Sequence, residues 1–270
     1  MLIAELYSSL QGEGLLTGTP SVFVRASGCN LRCWFCDTPY TSWQPEGEDW
    51  SAEAISVEVE RLAVVGWDKL ASASAGPPSS NASGGPAAAD HRYAMVPTAL
   101  SHPTKIRHVV ITGGEPMLYA EMIPLCQRLQ AVGLQITIET AGTLYLPVAC
   151  DLMSISPKLA SSTPTEERAG RWSTRHEQTR HRADVIQRLT SDYNYQLKFV
   201  IDTPADVEEV DAWLTKFPHV DRRRVLLMPQ GTDVAGLAEI GQWLEPYCRE
   251  HGFVFCPRKH IEWYGSRRGT

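Results

Sequence analysis

The sequence predicts an α/β fold, a partial (β/α)6 barrel of the TIM type with parallel strands, on three observations. Six short runs rich in β-branched and apolar residues recur at 22–25, 108–112, 135–139, 152–156, 196–201 and 225–228. Most lack polar alternation, as strands covered on both faces do. Helical patterns separate them, and alternating strand and helix build a parallel sheet. The unusual polar motifs all follow strands, at the edge where such folds keep their ligand sites. At 270 residues and 43% hydrophobic, the chain is long enough for one such domain with a buried core.

Each element has a local cause. The first run ends at Arg25 and leads through Gly28 into a cysteine-rich loop. Ser51 then caps a helix with Ile55, Val59 and Leu62 on one face. The second run ends in Gly113-Gly114-Glu115-Pro116, and a helix over 118–131 is stopped by Gly133. The third ends at Glu139 before Thr140-Ala141-Gly142-Thr143, and the fourth ends in Ser156-Pro157-Lys158. The fifth carries Lys198 and Asp202 at its end, and Thr203-Pro204-Ala205-Asp206 opens the next helix. Pro229-Gln230-Gly231 follows the sixth, and a helix over 235–251 closes at Gly252. There is no internal repeat.

Two stretches break the rhythm. Residues 71–90 contain 18 Ala, Ser, Gly or Pro out of 20, which predicts a flexible insertion near 71–105. Residues 160–182 carry Arg168, Arg171, Arg175, Arg180 and Arg182, which predicts a charged insertion with a solvated loop or helix face. The whole of 1–270 is predicted to be a single domain with these two insertions.

Lys plus Arg number 25 against 31 Asp plus Glu, a balance of −6 that argues against a nucleic-acid partner. No apolar run reaches the roughly 18 residues of a membrane helix, and the start lacks a signal peptide's basic and apolar segments. A cytoplasmic chain is expected. Seven cysteines, three of them within eight positions, then point to metal or redox chemistry rather than a disulfide frame.

Cys29-Asn30-Leu31-Arg32-Cys33-Trp34-Phe35-Cys36 is the strongest signal. Three thiolates at spacings of four and three suit one soft metal centre. A zinc site and plain buried thiols are the alternatives, although a closed zinc site wants a fourth ligand and none stands near. Cys126, Cys150, Cys248 and Cys256 have no metal-spaced partners and read as buried thiols.

The spacing resembles the radical S-adenosylmethionine superfamily, and Gly113-Gly114-Glu115-Pro116 resembles its second motif. Within it, Ser9-Leu10-Gln11-Gly12-Glu13-Gly14, Gly18-Thr19-Pro20, Phe23-Val24-Arg25, the loop from Gly28 to Asp37-Thr38, Glu139 and Ser156-Pro157-Lys158 resemble the 7-carboxy-7-deazaguanine synthases. The resemblance covers most of the chain outside 71–105 and 160–182. It implies a lyase with a radical S-adenosylmethionine core. Such an enzyme converts 6-carboxy-5,6,7,8-tetrahydropterin to 7-carboxy-7-deazaguanine with loss of ammonia, a step toward queuosine and other 7-deazapurines. Its cofactors are a [4Fe-4S] cluster, S-adenosyl-L-methionine and Mg2+. The cofactor radical carries the chemistry, so no side chain is expected to be the catalytic group. Cys29, Cys33 and Cys36 are implied as cluster ligands, and Phe35 as a neighbour of the adenine. Gly114, Glu115, Ser156 and Lys158 are implied as contacts of S-adenosylmethionine, and Thr38 as the magnesium ligand.

Gln11, Gly12, Glu13, Arg25, Thr112 and Glu139 are implied in the pterin pocket. Carboxylates suit the pterin's amino edge and an Arg fork suits its carboxylate. Each has a plainer reading: Arg25 as a surface residue, Glu139 as a partner of Lys158, Thr112 as a β-former. Arg258 or His260 of the tail is a further candidate for the pocket. An electron donor such as flavodoxin or ferredoxin, and a homodimer, are the partners implied. A glycyl-radical-enzyme activase is a second reading, although the 71–105 insertion carries no cysteine motif. A non-catalytic zinc or iron–sulfur interaction module is a third, and it has no use for the strand-edge motifs.

Overall fold

The computed structural model describes residues 1–72 and 105–270. Apart from its margins, the insertion expected near 71–105 lies outside the described residues. Every strand expected from the sequence is present, within two residues of its expected ends: β2 Pro20–Ala26, β4 His108–Gly113, β5 Gln135–Thr140, β6 Leu152–Ile155, β7 Tyr195–Ile201 and β8 Val225–Pro229. Three more join them: β1 Leu2–Leu10, β3 Glu48–Asp49 and β9 Val254–Phe255. Among the described residues they form one sheet in the order β3-β1-β2-β4-β5-β6-β7-β8-β9. All pairs from β2 to β9 are parallel. The sheet does not close: β3 and β9 are its two edges. This is the expected partial barrel, extended at one side by an antiparallel hairpin in which Tyr7 faces Phe23 and Glu5 faces Arg25.

The helices are α1 Pro39–Ser42, α2 Ala52–Ser72, α3 Met122–Ala131, α4 Glu166–Ala169, α5 Arg171–Thr179, α6 Ala183–Asp192, α7 Pro204–Leu214, α8 Val234–His251 and α9 Lys259–Tyr264. The caps signalled by the sequence are present. Ser51 Oγ accepts from Ala54 N at 3.1 Å, and Asp206 accepts from Thr203 N at 2.8 Å. Gly252 closes α8 in the left-handed conformation at φ 75°. The core follows from the apolar runs. Val22, Val24, Val109, Ile111, Ile138, Ile155, Leu197 and Phe199 are sealed between the sheet and helices such as α2, which contributes Ile55 and Val59. Each such side chain contributes about 1.5–3 kcal/mol on burial. No helix among the described residues is long and apolar enough to cross a membrane.

Two expectations are corrected here. The helix expected over 118–131 begins only at Met122. Pro116–Leu118 is a 3-10 turn, and the Tyr119 hydroxyl donates to the Ser27 carbonyl, which holds Tyr119 extended and interrupts the helix. Residues 160–182 are more than a solvated face. Arg168, Arg171 and Arg175 are exposed as expected. Ser162 and His176, however, are fully buried against the cysteine loop.

Candidate active site

Glycine geometry builds the first wall of the site. Gly113 ends β4 at φ 120°, where a side chain would collide with the backbone of Ala26. A Cβ at Gly114 would overlap the Gly28 carbonyl. The two segments are zipped by Gly114 N to Ala26 O and Glu115 N to Gly28 O, both 2.9 Å, while Gly28 N reaches Thr41 O at 2.7 Å. The turn after β4 thus seats the loop that carries Cys29, Cys33 and Cys36. All three thiols line a cavity of about 290 Å³ at the carboxyl edge of the parallel strands.

The thiols suit soft metal. Leu31, Cys33 and Ala141 form an apolar nest that Cys29, Phe35 and Cys36 complete. Burial pushes the Cys29 thiol up to about 12 and Cys33 to about 11. Such thiols ionise readily only against a metal's charge. Among the described residues no three His, Cys, Asp or Glu side chains gather around a single-ion position. All three thiols line the one cavity, where they would serve as ligands to an iron–sulfur cluster.

The same cavity is lined by a row of ion-paired side chains. Lys198 Nζ is 2.5 Å from Glu13 and 3.6 Å from Glu139. Glu13 Oε1 also accepts from Arg258 Nε at 3.1 Å, and Arg258 pairs with Asp37. Glu139 accepts from Thr112 at 2.7 Å and from Gln11 at 3.4 Å. Burial opposes charge on Glu13, yet Lys198, Arg258 and His260 outweigh it and hold the carboxyl well below its usual range. Burial likewise opposes charge on Lys198, and Glu13 and Glu139 hold its ammonium charged.

Most residues expected in the site come together on this cavity: Gln11, Gly12, Glu13, Arg25, Phe35, Thr38, Thr112, Gly114, Glu139, Ser156 and Lys158 all line it. Lys158 Nζ donates to Ser156 Oγ at 2.7 Å, so Glu139's cationic partner is Lys198 rather than Lys158. Gly12 is glycine because His260 packs where a side chain would stand, 2.5 Å from a Cβ. Arg25 is not a surface residue. Its Nε holds Glu5 and its NH2 holds Tyr7, both at 2.7 Å, leaving part of the fork toward the cavity.

Glu115 is the exception. It is 0% exposed and absent from the cavity wall. Its carboxylate accepts from Thr140 Oγ1, Ala141 N and Met117 N at 2.8–3.1 Å. Through these bonds it braces the turn after β5. Lys198, Asp37, Tyr7 and Tyr40 line the cavity without having been singled out as site residues. Lys198 had a signal, since a cation in a strand buried on both faces demands a partner. Arg258 and His260, the tail candidates, do enter.

An open parallel α/β sheet whose first loop holds three thiols over a cavity at the strands' carboxyl edge is that of a radical S-adenosylmethionine enzyme. No family model matches the chain. It is 37% identical to a 7-carboxy-7-deazaguanine synthase of Rhodopirellula baltica, over 100% of this chain and 89% of that one. It is 38% identical to another of Halobacterium salinarum, over 96% and 88%. The chain belongs to the 7-carboxy-7-deazaguanine synthase family. The crystal structure of QueE from Escherichia coli shares the fold, with a TM-score of 0.61 and 21% identity over 96% of this chain and 94% of that one.

Proposed function

We propose that the chain is a lyase converting 6-carboxy-5,6,7,8-tetrahydropterin to 7-carboxy-7-deazaguanine with loss of ammonia. The supporting observation is the ion-paired row Arg258–Glu13–Lys198–Glu139, which lines the same cavity as the three thiols. A flat heterocycle rich in donors and acceptors, carrying a carboxylate, matches that row. Cys29, Cys33 and Cys36 hold the [4Fe-4S] cluster. In this reading Gly114, Glu115, Ser156 and Lys158 contact S-adenosylmethionine, with Phe35 near its adenine. When bound, this pair supplies the radical that removes hydrogen from the substrate.

The chain's own residues orient the substrate. Glu13 and Glu139 accept from the amino edge of the pterin, and Lys198 keeps Glu13 ionised while pairing with Glu139. Arg25 directs its remaining donors to the substrate carboxylate while Glu5 and Tyr7 lock the rest of its fork. Thr38, at the mouth of α1, holds magnesium with the substrate carboxylate and water, a normal oxygen-rich arrangement for that ion. Arg258 and His260 cover the cavity and limit water at the reacting carbon. A cytoplasmic homodimer fed by flavodoxin or ferredoxin completes this reading, and family resemblance alone supports that part.

The test is anaerobic turnover of the iron-loaded protein with 6-carboxytetrahydropterin and S-adenosylmethionine. Product with the mass and ultraviolet spectrum of 7-carboxy-7-deazaguanine is expected. Cleavage of S-adenosylmethionine without that product would overturn the substrate assignment and favour an activase.

A further inference from the structure

Cys33 is the middle cysteine of the loop, and its neighbours Arg32 and Trp34 lie outside any helix or strand. Their amides still need acceptors once the loop is covered. Both find them in residues 159–180. Arg32 N donates to His176 Nδ1 at 3.0 Å, and Trp34 N donates to Ser162 O at 3.2 Å. The two acceptors are themselves joined, His176 Nε2 to Ser162 Oγ at 2.9 Å. Because an amide can only donate, Nδ1 is the bare nitrogen and Nε2 carries the hydrogen, an assignment made from the network. Ser162 Oγ then donates to Leu159 O at 2.6 Å. Leu159 directly follows Lys158. The result is a hydrogen-bonded circuit that grips the backbone on both sides of Cys33 and ends at the turn after β6.

Side chains repeat the grip. Trp34 Nε1 donates to Ser161 O at 2.6 Å, and Arg168 donates to Trp34 O at 3.0 Å. The Arg32 guanidinium lies 4.0 Å over Trp172 and donates to the Cys29 and Leu31 carbonyls at 2.8 and 2.7 Å. A histidine buried merely to fill space would satisfy its nitrogens on any neighbour. His176 uses Nδ1 on the cysteine loop itself and Nε2 on Ser162, whose carbonyl receives the same loop at Trp34.

We propose that His176 is a positioning residue for the cluster: it fixes the backbone carrying Cys33 and ties that backbone to the turn bearing Lys158. The inference rests on the functional reading above, and it extends the site to a segment outside the family motifs.

The experiment compares wild type, His176→Phe and His176→Asn after anaerobic iron and sulfide loading. Phe keeps the bulk and removes the acceptor, while Asn puts its amide oxygen near the Nδ1 position. Iron per chain, the rate of iron loss to a chelator, and the electron paramagnetic resonance spectrum of the reduced cluster are read, with and without S-adenosylmethionine. With one buried amide left unsatisfied, His176→Phe should lose iron on the order of tenfold faster. Its spectrum should shift, and the response to S-adenosylmethionine should weaken. His176→Asn should restore most of each. An unchanged spectrum and iron-loss rate in His176→Phe overturns the proposal. Should that variant not fold, Ser162→Ala decides. It cuts the circuit but keeps the imidazole, and unchanged iron loss and spectrum there overturn the proposal equally. A wild-type chain that takes up no iron instead overturns the functional reading itself.

Discussion

Replacing Lys198 with Met removes a buried ammonium from between two carboxylates, 2.5 Å from Glu13 and 3.6 Å from Glu139. Breaking a buried pair by deleting one partner costs about 3–5 kcal/mol, because the other charge stays buried. Glu13 keeps Arg258, and Glu139 keeps Thr112 and Gln11. The lower end, about 3 kcal/mol, therefore applies. At roughly 2 °C per kcal/mol for a chain this long, the unfolding midpoint should fall by about 6 °C. The pH dependence gives the sign. In the native chain the cations hold the Glu13 pKa below its unfolded value, so that contribution is present above the ordinary glutamate range. It is lost only as pH falls through the depressed folded value. In Lys198→Met, only Arg258 and His260 still oppose the burial of Glu13, so its carboxyl titrates higher than in the native chain and its ionised form is less stable. The penalty should be largest near pH 8 and shrink toward pH 5. Thermal scans of metal-free wild type and variant at one scan rate, across that range, measure it. An unchanged midpoint, or a penalty that grows as pH falls, would refute the buried-charge account.

Other outcomes follow from the same geometry. Cys29→Ala, Cys33→Ala and Cys36→Ala should each lose the cluster and the cleavage of S-adenosylmethionine, while Cys126→Ala, a thiol buried in the core, keeps full iron; iron assay and methionine release check both. Arg25→Ala should keep its iron but bind 6-carboxytetrahydropterin about a hundredfold more weakly, for about 2–3 kcal/mol of lost charge-assisted bonding, by anaerobic titration. Arg25→Lys should recover only part, since it cannot hold Glu5, Tyr7 and a carboxylate together. Gly114→Ala should disrupt the cluster loop, because the added carbon overlaps the Gly28 carbonyl, and circular dichroism with iron content will show a folded chain with little iron.

The parallel strands were legible because doubly covered strands must be apolar throughout, as in β4 and β8. β1 was not, since its residues are mostly half-buried and the segment was read for its motif alone. β9, two residues long, offers no pattern to read. Within the site, residues fixed by their own turn were legible: the cysteines, Gly114 and Ser156-Pro157-Lys158. For residues fixed by distant partners the candidates could be named from the resemblance, but their pairings were not legible. Arg258 meets Glu13 across 245 residues, which no local spacing encodes. The Glu115 motif marks where the turn lies, while the orientation of its carboxylate is set by Thr140 and Ala141 at the end of β5, which the motif does not encode. His176 was hidden in a segment whose arginines signal solvent, although a single buried imidazole there faces the loop.

The closure of the cavity by residues from opposite ends of the chain also sets an order of events during synthesis. Lys259 N donates to Gly12 O, and Arg258 seals Glu13 against Asp37. A chain emerging from the ribosome amino-terminus first has displayed all three cysteines long before residue 258 exists. The cysteine side of the cavity is thus synthesised well before the segment that seals Glu13 against Asp37.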